Sequence, residues 1–218
     1  MPKDPPKLVI IRHAEKTRDG GPHLSRRGAE RARRLPARLA RFLGDDDAEL
    51  TLFAMVVPHR GGSQRCLETL APTAAARSGM RIRRVRRSHT RRLGKELASS
   101  LRSASSSDAD DVNGNVHVFC VCWEHKRIVE LANAVLPASV RVTSWGLRPT
   151  ATDPPHPGGG DCYDAIWVID RDSFTVYRQH ADDDEVDEVL SVSLKDTWSQ
   201  PVESTSPLGG GPRGLAPL

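Results

Sequence analysis

The sequence predicts an α/β protein with three layers, in which helices cover both faces of a mostly parallel central sheet. Two apolar runs rich in β-branched residues, Lys7–Ile11 and Val116–Trp123, have the length of buried strands. The second run is apolar on both of its faces, which is typical of a central strand in a parallel sheet. Segments with apolar residues at helical spacing alternate with the strands, and this alternation indicates the α/β class.

The first strand, Lys7–Ile11, follows a polar, Pro-rich N-terminus at residues 1–6 that we expect to be flexible. A helix is expected to begin at Ser25, because a serine hydroxyl can accept a hydrogen bond from the first turn. Its apolar face carries four residues at helical spacing: Ala32, Leu35, Leu39 and Phe42. Since proline removes a backbone donor and clashes with the preceding turn, we expect a kink or break at Pro36.

The middle of the chain continues the alternation of strands and helices. The expected segments are, in order, strand Leu50–Val57, a helix over residues 64–76, strand Arg81–Val85, an irregular segment over 86–95, a helix over Glu96–Arg102 and a flexible loop over 103–115. Ser63 is the expected cap of the first of these helices.

The last part of the chain contains the strongest strand. The expected segments are strand Val116–Trp123, a helix over Lys126–Leu136, a Pro/Gly-rich loop over 149–160, and a hairpin formed by Tyr163–Asp170 and Phe174–Tyr177. The Pro, Gly and Ser content beyond these elements predicts a disordered tail over residues 199–218. The remaining residues, 7–198, are expected to form a single domain.

Composition limits the possible functions. The formal net charge of +4 suits an anionic ligand. A GC-rich coding bias, which favours arginine, would give the same charge balance. The four cysteines do not suggest a disulfide framework. Cys120 and Cys122 lie two residues apart in one predicted strand, where they share a face and are poorly placed to pair with each other. We therefore expect a reducing, cytoplasmic location. No run approaches the ~18 apolar residues of a membrane span, and no apolar leader is evident, so no membrane partner is expected.

Two of the predicted strands end in histidine. His13 follows the first strand and His125 follows the strand that ends at Trp123. Ligand sites of open α/β sheets lie at the carboxyl ends of the strands, and neighbouring parallel strands would bring both histidines into one crevice. Arg12, beside His13, offers a fixed fork of donors for an oxyanion, while a histidine can act as a nucleophile or proton carrier near pH 7.

Four short motifs occur in a fixed order along the chain. They are Arg12-His13-Ala14-Glu15, Leu24-Ser25-x-x-Gly28, Ser63-x-Arg65-x-x-x-Thr69 and Trp123-Glu124-His125. This order resembles the histidine phosphatase superfamily, also called phosphoglycerate-mutase-like, over roughly residues 7–180. The runs Cys122-Trp123-Glu124-His125 and Asp161-x-Tyr163-Asp164-x-Ile166-Trp167 are similar to a subgroup of small members. Ala14 stands where the family more often has glycine.

The resemblance implies a phosphoglycerate-mutase-like fold and a metal-independent phosphatase that works through a phosphohistidine, with no cofactor. His13 would be the nucleophile, Arg12 and Arg65 would hold the phosphate oxygens, and His125 would add a hydrogen bond. For the general acid, Glu96 ranks first, and Glu124 and Glu15 remain open. The expected substrate-binding residues are Lys16, Ser63, Glu124 and Glu15. The expected partner is a phosphorylated small molecule or a phosphopeptide.

Two alternatives stay open beside this interpretation. One is a phosphoglycerate-type mutase, and another is a catalytically weak module that binds phosphate or nucleic acid through the arginines between Arg81 and Arg92. Nucleic acid is not the favoured partner, because no aromatic residues interleave with these arginines. A zinc site of His117, Cys120, Cys122 and His125 is disfavoured. Alternate residues of a strand point to opposite faces, so His117 and Cys120 cannot converge on one metal ion. The oligomeric state is left open.

Overall fold

A seven-stranded sheet forms the centre of the structure, a computed structural model that describes residues 5–43, 49–59, 61–103, 117–142, 163–179 and 186–195. The strands are β1 (Lys7–Arg12), β2 (Glu49–Val56), β3 (Ile82–Arg86), β4 (His117–Trp123), β5 (Ala165–Ile169), β6 (Ser173–Gln179) and β7 (Val186–Ser193). The helices are α1 (Arg26–Leu43), α2 (Arg65–Ala76), α3 (Thr90–Ser103) and α4 (His125–Val135). A single 3₁₀ turn, Arg87–His89, precedes α3.

The order of the strands is β3-β2-β4-β1-β5-β6-β7. The four strands from β3 to β1 run parallel to one another, whereas β5, β6 and β7 are joined antiparallel. The predicted α/β class is therefore confirmed, and β4 lies inside the parallel part, between β2 and β1, as its two apolar faces predict.

Helices lie on both faces of the sheet. Cys122 interacts with Cys66 of α2, while the next residue, Trp123, donates its indole N–H to Thr90 Oγ1 at the start of α3 over 3.0 Å. Because neighbouring residues of a strand point to opposite faces, α2 and α3 cover opposite sides of the sheet. Helix α1 packs against α2, and α4 packs against α3, so the described residues form three layers.

The core lies between these layers. Both faces of β1 and β4 are covered, and so the four residues Leu8–Ile11 are each at most 1% exposed. At roughly 2 kcal/mol for each fully buried aliphatic side chain, this burial is what fixes β1 in the middle of the sheet. The strand that carries the candidate nucleophile is thereby held rigidly.

Several expectations about local structure are wrong. The helix α1 continues through Pro36 without a break, because Leu35 and Leu39 are buried on either side and this packing offsets the lost backbone hydrogen bond. The segment 86–95 is not irregular, since α3 begins at Thr90, where the hydroxyl donates to Arg87 O over 2.7 Å. The buried leucines of α3 recur at helical spacing: Leu93, Leu97 and Leu101.

The Ser25 cap is confirmed, because Ser25 Oγ accepts a hydrogen bond from Gly28 N at 3.0 Å. The strand β7 has no counterpart among the expected elements. Its sequence mixes acidic, polar and apolar residues, so it lacks the continuous apolar run that marked β1 and β4. The expected loop at 149–160 and the tail at 199–218 lie outside the described residues, as does nearly all of the loop at 103–115. In the part of the chain that the structure describes, no helix has the length and apolar character to cross a membrane.

Candidate functional site

One edge of the sheet gathers most of the expected site residues. The carboxyl ends of β3, β2, β4 and β1 all lie at this edge, because the four strands are parallel. Arg12 pairs with Trp123, and the ladder continues by one step, since His13 N donates to Trp123 O at 3.1 Å. His13 and the Glu124-His125 pair thus leave neighbouring strands side by side, as the sequence predicts.

The His13 side chain is held in one orientation. It is only 3% exposed, and its Nδ1 lies 2.8 Å from the carbonyl oxygen of Ala14. Since a carbonyl oxygen can only accept, Nδ1 must carry the hydrogen and donate it. The lone pair of the neutral ring is therefore on Nε2, which is the form that a nucleophilic imidazole requires.

The surroundings of His13 keep its ring neutral. Burial lowers the pKa of His13 from 6.5 to about 4, and the positive charges of Arg65, Arg12 and His125 act in the same direction. The Ala14 carbonyl opposes them by stabilising the protonated ring, but its effect on the pKa is smaller. The positive charges that disfavour protonation of His13 also favour binding of an anion, so the site suits a phosphate-like group.

Arg65 reaches the site from the first turn of α2. A tight loop leads from β2 to this helix, and at Gly62 an added Cβ would lie 2.1 Å from the backbone oxygen of Val57. Arg65 Nε donates to Ser63 Oγ over 2.9 Å. The expected role of Ser63 as a helix cap is wrong, because α2 begins after Gln64 without a side-chain cap. The Ser63 hydroxyl instead holds the Arg65 guanidinium.

Thr69 connects the nucleophile to the helix that carries Arg65. Its Oγ1 accepts a hydrogen bond from Ala14 N at 2.9 Å and donates to Arg65 O at 2.7 Å. Thr69 is 2% exposed, so solvent does not compete for these bonds. Thr69 is the last residue of one sequence motif, and the motif alone indicates no role for it. In the structure, it fixes the peptide next to His13 relative to α2.

Glu15 is part of the support of this loop. Arg31 of α1 donates from Nε and Nη2 to the Glu15 carboxylate at 2.8–3.0 Å, and Ser25 N donates to Glu15 O at 2.9 Å. An added Cβ at Gly28 would lie 2.2 Å from Glu15 O, and therefore only glycine permits this contact. The carboxylate of Glu15 is therefore bound by Arg31 of α1.

The two remaining candidates for the general acid lie in different settings. Glu124 comes directly before His125 at the start of α4, is 19% exposed, and pairs with Arg87 Nε at 2.6 Å. Glu96 is 59% exposed on α3 and pairs with Arg92 of the same helix at 2.8 Å. The structure brings Glu124 to the edge that carries His13 and leaves Glu96 on an exposed helix face.

Tyr163 is a site residue that the sequence analysis missed. The guanidinium of Arg12 lies 3.9 Å from the centre of the Tyr163 ring, and the His13 and Tyr163 rings are 6.0 Å apart. Tyr163 precedes β5, and since β5 is antiparallel to β1, its amino end lies at the site edge. The expected substrate-binding residue Lys16 is exposed, and its backbone forms an isolated bridge with Leu24.

The zinc site that the sequence analysis disfavours lacks convergent ligands in the structure. His117 is at the amino end of β4 and contacts Thr51 and Glu49, whereas His125 follows the carboxyl end of that strand. Burial raises the pKa of the Cys120 thiol to about 12, which disfavours the thiolate that a metal requires. Among the described residues, no group of three or more His, Cys, Asp or Glu side chains could hold a metal ion.

Comparison of the sequence with protein-family models gives no match, and comparison with curated proteins gives no match either.

Proposed function

We propose that this chain is a metal-independent phosphatase of the histidine phosphatase type, with a phosphoglycerate-mutase-like fold and His13 as the nucleophile. The observation that carries the proposal is the state of His13: a buried, neutral imidazole whose Nδ1 is held by Ala14 O, among the charges of Arg12, Arg65 and His125. A nucleophilic nitrogen surrounded by cationic groups matches what phosphoryl transfer needs.

In the first step, Nε2 of His13 attacks phosphorus, and the bond between phosphorus and the ester oxygen breaks. Arg12 and Arg65 hold the equatorial oxygens, with a further hydrogen bond from His125. The leaving oxygen takes a proton from a general acid. In the second step, water attacks phosphorus, the phosphorus–nitrogen bond breaks, and the proton of water passes to the carboxylate formed in the first step. Inorganic phosphate is released, and His13 is neutral again.

Glu124 is the carboxyl group that we assign to this proton transfer. It lies beside His125 at the site edge, whereas Glu15 is engaged by Arg31 and Glu96 lies on the exposed face of α3. Arg87 Nε lies 2.6 Å from the Glu124 carboxylate and fixes its position at the site edge. This carboxyl group gives up its proton in the first step and takes up the proton of water in the second step.

The test is the loss of His13. We expect His13→Ala to lower turnover of p-nitrophenyl phosphate by at least about 10⁴-fold, since a covalent nucleophile is removed. The parent protein should form an alkali-stable, acid-labile phosphoenzyme from radiolabelled substrate, and the variant should form none. The matched control is His117→Ala, at the opposite end of β4, which should retain activity and phosphoenzyme formation.

Equal melting temperatures for the parent and the His13 variant would show that the loss is chemical. Activity of His13→Ala within tenfold of the parent would refute the assignment. If the parent protein interconverted phosphoglycerate isomers without releasing phosphate, it would be a mutase instead.

A further inference from the structure

The edge strand β3 has a free side that the proposed chemistry does not use. It ends the sheet and pairs only with β2, from Ile82 to Arg86. Within the described part of the chain, no strand lies along its other side. An open edge of this kind can take up another extended segment through main-chain hydrogen bonds.

Positive charge is concentrated on this strand, and in the part of the chain that the structure describes no carboxylate is paired with it. The arginines that follow β3 form ion pairs: Arg87 with Glu124, Arg91 with Glu130, and Arg92 with Glu96. The arginines of the strand region are exposed, and in the described residues none of them has a carboxylate within ion-pair distance: Arg81, Arg83, Arg84 and Arg86. Charged side chains on an edge strand oppose pairing with a second copy of that strand, but they attract a segment of opposite charge.

The arginines lie on both faces of the sheet. Arg84 pairs with Ala54, and Ala54 with Cys122, so Arg84 lies on the α2 face, together with Arg86 two residues later. Arg83 lies on the opposite face, where its guanidinium is 5.8 Å from the centre of the Phe53 ring. Side chains of an added strand also alternate between the two faces. A run of acidic residues in that strand would meet guanidinium groups on both sides.

We propose that β3 docks an acidic, extended segment of a phosphorylated protein and thereby presents its phosphorylated residue to His13. This inference rests on the proposed phosphatase function and names its substrate class. The carboxyl end of β3 lies at the same edge of the sheet as His13. An added strand would be four strand spacings from β1, about 19 Å, and an extended chain covers this distance in about six residues. The acidic run should therefore be separated from the phosphorylated residue by about that number.

The experiment uses a phosphoserine peptide with an acidic run and a six-residue spacer, compared with the same peptide in which glutamine replaces the acidic residues. We expect kcat/KM to be about tenfold higher for the acidic peptide at low salt. The variant Arg84→Glu/Arg86→Glu should abolish this advantage and leave turnover of p-nitrophenyl phosphate unchanged. The control, Arg26→Glu/Lys95→Glu, makes the same change in net charge at exposed positions on α1 and α3 and should keep the advantage.

Binding is measured separately from turnover, with an unphosphorylated fluorescent acidic peptide and the His13→Ala variant. Binding by this variant, lost on charge reversal in β3, would support docking even if the parent protein released no phosphate. N-methylation of alternate amides in the acidic run should weaken binding about tenfold, because strand addition uses those amides. Unchanged binding after N-methylation, equal effects of the two double variants, or tighter binding of a single-stranded RNA than of the peptide would each overturn the proposal.

Discussion

The parallel and antiparallel halves of the sheet contribute to the site in different ways. The parallel half supplies His13 from β1, Glu124 and His125 from β4, and Arg65 through the loop after β2. The antiparallel half supplies Tyr163, which enters from the amino end of β5. Both contributions meet at one edge, because reversing a strand exchanges its two ends.

This difference explains what could be predicted from the sequence. A polar residue after a buried parallel strand is a recognisable pattern, and from the sequence alone it identifies Arg12, His13 and His125. No corresponding pattern marks a residue in front of an antiparallel strand. Tyr163 occurs in one of the sequence motifs, but its position beside Arg12 becomes evident only when β5 is known to lie beside β1 in the reverse direction.

The parallel half of the sheet holds His13 in a buried position, and this burial makes the stability of the fold depend on pH. In the folded chain burial lowers the pKa of His13 to about 4, whereas the unfolded chain has the ordinary value of 6.5. The unfolded state therefore binds more protons between these values, and the free energy of unfolding falls as the pH drops from 6.5 to 4. The expected loss from this group is about 3 kcal/mol. His13→Asn, which does not titrate, should lose correspondingly less in urea unfolding at the two pH values.

Titration of the His13 ring by NMR provides an independent readout. The shift arises from burial and from charges that the parallel half supplies, Arg65, Arg12 and His125. A midpoint near 6.5, together with equal losses of stability in the parent and His13→Asn, would contradict the described surroundings of this residue.

The expectation for Glu96 shows why the general acid was harder to place than the nucleophile. The sequence predicts an irregular segment over 86–95 and a helix over Glu96–Arg102, and Glu96 ranks first among the expected general acids. The structure begins α3 at Thr90, whose hydroxyl accepts from the Trp123 indole N–H, so Glu96 lies almost two turns into the helix. That contact joins residues 33 positions apart in the chain, and no local pattern encodes it.

The assignment of the acid is tested by Glu124→Gln and Glu96→Gln on two substrates. An alkyl phosphate has a leaving oxygen that needs a proton, whereas the p-nitrophenolate of p-nitrophenyl phosphate barely needs one. We expect Glu124→Gln to slow the alkyl phosphate by about 10²-fold and p-nitrophenyl phosphate only slightly. Glu96→Gln is the matched control on the exposed face of α3 and should change neither rate. If Glu96→Gln instead slowed the alkyl phosphate selectively, Glu96 on α3 would be the general acid.

The smallest expected effect belongs to the antiparallel half. The Tyr163 ring covers one face of the Arg12 guanidinium at 3.9 Å, which restricts the orientation of this group before phosphate arrives. Tyr163→Leu should lower kcat/KM about tenfold, roughly the 1–2 kcal/mol of a cation–π contact in a desolvated setting. Tyr163→Phe retains the ring and should remain within about threefold of the parent if stacking is what the residue supplies. Equal losses in both variants would mean that the hydroxyl matters instead, and no loss in either would mean that the parallel half alone orients Arg12. The midpoint of the His13 titration separates these outcomes from a general loosening of the fold, because a rearranged site would move that midpoint and a loss of stacking alone would not.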